Sequence, residues 1–183
     1  MKGLNIKRED AVIVAIDFQE KLLVNIFESD KMVETMARLV KGCRVLEVPI
    51  LVTQQYTKGI GPTVPKLAEA LGDFTHIEKM TFSAMREPEF VKALEATGRK
   101  TVIVTGAEAH ICVQQTALDL IAAGYTVYGV VDCMSSRTPL NKELGQIRMT
   151  QSGVVVTGYE AELFDMLADA RDGNLKTIAA IVK

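Results

Sequence analysis

The chain has no tryptophan, and aromatic residues make up 5% of its 183 positions. No block of lysine and arginine runs through it, and its formal net charge is −2. Binding of nucleic acid by a basic stripe with interleaved aromatics has no signature here. Histidine is scarce, with only His76 and His110. A histidine-based triad has few parts to draw on, and no His-x-His or Cys-x-x-Cys spacing suggests a metal site. Cysteine is limited to Cys43, Cys112 and Cys133. An odd number without regular spacing argues against a disulfide framework. It suits a reducing, cytoplasmic setting, with organellar import left open.

No apolar stretch is long enough to span a bilayer. The start, Met1-Lys2-Gly3-Leu4-Asn5-Ile6-Lys7-Arg8-Glu9-Asp10, is too polar for a secretory signal. Glycine is also missing where a dinucleotide-binding turn needs it. Asp17-Phe18-Gln19-Glu20-Lys21 contains none, which sets a Gly-x-Gly-x-x-Gly nucleotide site aside.

What is present is a hydrophobic fraction of 48% and a length suited to one domain, residues 1–183, with a sizeable core. Apolar strand-like runs alternate with helical patterns. Strands are predicted at 11–17, 49–53, 76–79, 101–105, 126–131 and 154–157. Helices are predicted at 30–47 (with Asp30 as cap), 66–71, 89–97, 112–123, 140–151, 160–170 and 175–182. Gly124 is the expected residue just past the 112–123 helix. The Gly/Pro-rich segment 57–65 reads as irregular loop. This alternation predicts a three-layer α/β/α fold around a doubly wound, six-stranded parallel sheet. Strand order 3-2-1-4-5-6 places the switch point between strands one and four.

Cys112 is the leading candidate for chemistry. It follows the fourth strand at the start of a helix pattern. The partial positive charge of a helix N-terminus lowers a thiol's pKa. An inert buried cysteine explains the same position equally well. Asp17 directly follows Val12-Ile13-Val14-Ala15-Ile16. It is either a turn residue or a carboxylate in need of a partner. Lys79 alone reads as a solvated lysine. Cys43 lies on the apolar face of a helix and reads as core, and Cys133 as structural. His110, two residues before Cys112, is expected to point elsewhere.

Three motifs carry a resemblance: Ile16-Asp17-Phe18-Gln19, Lys79-Met80-Thr81-Phe82-Ser83, and Gly106-Ala107-Glu108-Ala109-His110-Ile111-Cys112-Val113 followed by Thr116-Ala117. In order and spacing the chain resembles the isochorismatase-like cysteine hydrolase superfamily. Gln54-Gln55-Tyr56-Thr57-Lys58-Gly59 and Asp132-Cys133-Met134-Ser135-Ser136-Arg137 are similar to its small isochorismatase-domain-containing proteins.

The resemblance implies a Cys-Asp-Lys triad. Cys112 is then the nucleophile, Asp17 its proton acceptor, and Lys79 the cation that holds Asp17 and depresses the thiol pKa. It also implies a non-proline cis peptide at Ala107–Glu108, aiming the Glu108 and Cys112 amides at an oxyanion. The nicotinamidase branch carries an Asp and two His where this chain has Gln54, Gln55 and Tyr56, so no metal and no other cofactor is expected. Glu108-Ala109 replaces the threonine that many relatives carry there, which leaves the substrate open.

These features predict a metal-independent cysteine hydrolase acting on a small amide, ester or related carbonyl compound. Relatives commonly assemble, so a homo-oligomer is expected. The expected partner is a small-molecule substrate, with neither nucleic acid nor membrane. The alternative is a non-catalytic scaffold that keeps the fold, with Met149, Met166 and helix 175–182 as interface candidates. Phe18, Gln54, Tyr56, Phe82 and Ile111 are the expected substrate walls, and segment 57–65 a candidate lid.

Overall fold

The computed structural model describes residues 5–183. The first four residues of the polar N-terminal stretch, and of the 1–183 domain, lie outside it. In chain order the elements are β1 (Ala11–Ile16), α1 (Glu20–Leu23), α2 (Ser29–Val45), β2 (Ile50–Gln55), α3 (Thr57–Ile60), α4 (Pro65–Leu71) and β3 (His76–Lys79). A 3-10 turn (Ala84–Arg86), α5 (Pro88–Ala96) and β4 (Thr101–Ala107) follow. A π-helical turn (Ala109–Val113) then runs into α6 (Gln114–Ala122). The chain continues through β5 (Thr126–Ser135), α7 (Pro139–Gln151), β6 (Val155–Thr157), α8 (Tyr159–Leu167) and α9 (Leu175–Val182).

The strands form one six-stranded sheet in the order β3-β2-β1-β4-β5-β6, with every pairing parallel. This is the predicted doubly wound arrangement. All six residues of β1 are buried, as expected for a central parallel strand covered on both faces. Ala11, Ile13 and Ala15 enter one core with Met36, Leu39 and Val40 of α2, Leu163 of α8 and Ile178 of α9. Val12, Val14 and Ile16 enter a second core with Phe90 and Leu94 of α5, Val113 of the π-helical turn, and Ala117 and Leu120 of α6. Each such large side chain contributes roughly 1.5–3 kcal/mol when fully buried. The sheet is therefore a stiff platform, and β1 and β4 end together at the switch point.

Gly106 makes that junction possible. It has φ +120°, and a Cβ there would sit 2.0 Å from the Ile16 carbonyl oxygen. Only glycine lets β4 pass so close to the end of β1. Gly145 of α7 plays a similar part, since its Cβ would meet the Ala109 carbonyl oxygen at 2.8 Å. The turn that carries Cys112 is thus packed directly under α7.

Several sequence expectations are corrected. Helix α2 begins at Ser29, so Asp30 lies in its first turn, and Glu28 occupies the cap position with φ 50°. Segment 57–65 is partly regular, because Tyr56 (φ 39°) turns the chain and Gly59 and Ile60 donate to its carbonyl, closing α3. Gln19 bridges to Thr63, Glu20 N donates to Pro62 O, and Val64 N donates to Phe18 O, stitching the segment to the chain after β1. Met149 and Met166 are core residues, which removes them as interface candidates. Strand β5 runs four residues further than predicted, to Ser135. Among the described residues, no helix is long and apolar enough to cross a membrane.

Candidate active site

β1 delivers Asp17 to the carboxyl end of the sheet in an unusual backbone state. Its φ is 55°, a left-handed conformation that non-glycine residues seldom adopt. Its amide donates to Thr53 O at 3.2 Å, and its carbonyl accepts from Gln19 N at 2.8 Å. The side chain is fully buried, so each carboxylate oxygen needs a partner. Thr53 Oγ1 donates to Oδ1 at 2.8 Å. Lys79 Nζ lies 2.7 Å from Oδ2, in an ion pair whose two side chains are both 0% exposed.

Lys79 closes β3, two strands away from β1. Its ammonium also donates to Gln55 Oε1 at 2.6 Å, and to the carbonyls of Thr81 and Phe82 at 3.2 Å each. The loop supplying those carbonyls is held by Glu87, whose Oε1 accepts from Met80 N and Thr81 N at 2.9 Å and from Thr81 Oγ1 at 2.8 Å.

Cys112 completes the cluster from the π-helical turn after β4. It is 7% exposed, and its thiol interacts with both the Asp17 carboxylate and the Lys79 ammonium. Burial pushes the thiol up to about 12, and the Asp17 carboxylate adds to this, while Lys79 pulls the other way. The expected depression of the thiol pKa is therefore corrected: desolvation and the neighbouring anion outweigh the lysine. Burial also raises the Asp17 carboxyl above its ordinary value, against the pull of Lys79, Thr53 and Cys112. Two proton acceptors of elevated affinity thus stand side by side, next to one cation.

The Ala107–Glu108 peptide is cis. Glu108 O accepts from Ile111 N at 3.0 Å and Val113 N at 3.3 Å, which folds the chain into the turn that holds Cys112. The Glu108 carboxylate is engaged by Arg137, through its backbone N and its Nε, each at 3.1 Å. His110 points away from the thiol, with Nδ1 3.0 Å from Ser136 Oγ. Cys43 and Cys133 are fully buried, and burial pushes both thiols up.

Of the expected substrate walls, Tyr56 and Phe82 are exposed, and Ile111 is partly buried beside Cys112. Phe18 is 1% exposed and packs into the core under α2, so it presents no wall. Gln54 is also buried. Its amide donates to Thr63 Oγ1 at 2.9 Å and accepts from Thr57 Oγ1 at 2.7 Å, which ties down segment 57–65 instead. Among the described residues, no group of three or more His, Cys, Asp or Glu side chains is arranged to hold a metal ion.

The profile of the Isochorismatase domain matches residues 11–161, a span that contains β1, Asp17, Lys79 and Cys112. The chain belongs to the isochorismatase family. It is 37% identical to isochorismatase domain-containing protein 2 of Danio rerio, over all of this chain and 92% of that one. Among solved structures, it is similar to one described as the MAR1 ribonuclease of Caenorhabditis elegans, at 34% identity and a TM-score of 0.91, covering 97% and 92% of the two chains. It is also similar to YcaC of Escherichia coli, described as an octameric hydrolase of unknown specificity. That match is 26% identical with a TM-score of 0.92, over 99% and 92% of the chains. This isochorismatase-family chain therefore has a hydrolase fold.

Sequence reasoning did not assign roles to Thr53, Gln19, Gln55 or Arg137. Thr53 and Gln55 are polar residues at the end of an otherwise apolar strand, which is the one signal that marks them. Their partners come from other strands, and one chain's spacing does not reveal those pairings.

Proposed function

We propose that this protein is a cysteine hydrolase in which Cys112 attacks the carbonyl carbon of a small amide, ester or related compound. The observation that carries this reading is the fully buried Lys79–Asp17 ion pair beside the one thiol that retains solvent contact. Burying two charges costs several kcal/mol per ion after relaxation, so such a pair is weak evidence for stability and better evidence for chemistry.

The thiol stays protonated at rest, because burial and Asp17 hold its proton. When a carbonyl substrate is seated, Sγ forms a bond to its carbon and the thiol proton passes to Asp17. The Glu108 and Cys112 backbone amides face the resulting oxyanion. The C–N or C–O bond then breaks, and Asp17 returns the proton to the leaving group. Water attacks the thioester, with Asp17 taking its proton, and the acid product leaves as Cys112 regains a hydrogen. Lys79 keeps Asp17 oriented throughout and offsets the negative charge that the cluster carries. No step requires a metal. The Glu108 carboxylate is paired with Arg137.

Three free thiols fit a reducing, cytoplasmic setting. Self-association is part of the proposal, prompted by the octameric E. coli YcaC, and light scattering tests it. The ribonuclease described from C. elegans makes RNA the second substrate class to assay.

The test has two stages. Iodoacetamide should label Cys112 well before Cys43 and Cys133, and equal labelling of all three would end the proposal. Wild type and Cys112→Ala are then compared on a panel of small amides, esters and RNA. Turnover of an amide or ester that disappears in Cys112→Ala is expected. Turnover that survives the substitution would assign the reaction to other residues.

A further inference from the structure

Gln55 closes β2 and pairs in register with Lys79 of β3. Its side chain is half-buried, and both ends of its amide are engaged. Oε1 accepts from Lys79 Nζ at 2.6 Å, slightly shorter than the lysine's contact with Asp17. Nε2 donates to Met80 O at 3.0 Å. An amide flip would turn two donors on the lysine and an acceptor on a carbonyl, so this geometry fixes which end faces the ammonium. The backbone of Gln55 is itself clamped by Gln19, a fully buried amide. Gln55 N donates to Gln19 Oε1 at 2.6 Å, and Gln19 Nε2 donates to Gln55 O at 3.0 Å and to Gly61 O at 2.7 Å.

An ammonium has three protons. Lys79 meets one anionic acceptor, Asp17, and three neutral ones: Gln55 Oε1, Thr81 O and Phe82 O. We infer that Gln55 is a positioning residue that holds Lys79 by a neutral acceptor, so that the lysine's charge stays available to Asp17 and Cys112. A carboxylate in the same place would take the lysine as its own ion-pair partner and add a negative charge to the cluster. Gln19 is the brace that keeps the Gln55 strand end in register. The charged groups facing this arrangement are Asp17 from β1, and Glu87 at the start of α5, which acts on Lys79 from beyond the intervening loop. Cys112 faces both Asp17 and Lys79. The inference rests on the reading of Lys79 as the charge partner of Cys112.

The probe is iodoacetamide, and the readout is the rate of Cys112 alkylation by mass spectrometry over the range where that rate climbs with pH. Gln55→Glu is nearly isosteric at a half-exposed site. It should shift the profile toward alkaline pH by about one unit, which is a roughly tenfold slower rate at any fixed pH on the slope. Lys58→Gln changes the charge by the same amount on the exposed face of α3, and should leave the profile in place. Gln55→Met keeps the length and removes the acceptor, so it should slow alkylation by less than Gln55→Glu. It also serves if Gln55→Glu does not fold. An unmoved profile in Gln55→Glu, an equal shift in Lys58→Gln, or a wild-type rate in Gln55→Met overturns the inference. If wild-type Cys112 is not labelled ahead of Cys43 and Cys133, the triad reading fails instead. Selective wild-type labelling with an unmoved Gln55→Glu profile sinks the Gln55 role alone.

Discussion

At the scale of single residues, the site is a small number of charges kept out of water. Asp17 and Lys79 have no solvent contact and depend on each other. Asp17→Asn leaves Lys79 without an anionic partner in a buried site. The expected cost is about 3–5 kcal/mol, read from urea unfolding. Adding Lys79→Met should restore a large part of that loss, because it removes the stranded charge. A single Asp17→Asn variant as stable as wild type would mean that the pair is not buried in solution. The three motifs of the family resemblance singled these residues out; read alone, Asp17 passed equally for a turn residue, Cys112 for an inert core thiol and Lys79 for a solvated lysine. The thiol's proton affinity was not legible in the sequence. Helix position and Lys79 argued for a lowered value, but desolvation depends on what packs around the sulfur.

At the scale of elements, the site exists because β1 and β4 end side by side, and Gly106 permits the approach. Gly106→Ala forces a Cβ against the Ile16 carbonyl at a backbone angle that alanine resists. Gly98 also has positive φ, but nothing lies within 4 Å of its Cβ position. Gly98→Ala should therefore cost only about 1 kcal/mol, the backbone part alone. Gly106→Ala should cost several times more, or fail to give folded protein. Equal urea midpoints for the two variants would show that close approach is not what Gly106 provides. Periodicity was a sound guide to most helices and to all six strands. It failed at segment 57–65, where glycine and proline suggested irregular chain. There Tyr56 takes the left-handed angle and starts a helical turn, and hydrogen bonds from Gln19 and Gln54 fasten the rest.

At the scale of the whole molecule, a buried carboxyl on α8 ties stability to pH. Glu162 of α8 is fully buried, and neither of its carboxylate oxygens has a hydrogen-bond partner. Burial, then Asp165 and Asp132, push it from 4.5 up to about 8. Between those values the folded chain holds this proton and the unfolded chain does not. Stability therefore falls as pH rises through that window, and it is fully present below 4.5. The loss is on the order of a few kcal/mol. Glu162→Gln cannot ionise, so its unfolding free energy should lose this slope between pH 4.5 and about 8. A slope identical to wild type would place the pH dependence on other groups.

The sequence by itself determined the layered architecture, because alternating strand and helix periods with right-handed crossovers leave few ways to bury this many strands; the order 3-2-1-4-5-6 was one expectation among those ways, and the sheet bears it out. The sequence also determined which three residues to examine, since motif order survives in one dimension. Tertiary structure alone decided what surrounds them. Lys79 reaches Asp17 across β2 and meets Gln55 on the way, while Phe18 turns into the core and Arg137 meets Glu108. Those outcomes depend on distances between segments far apart in the chain, and on how much water packing removes. Neither is written in local sequence, and both set the charge and the proton affinity at Cys112.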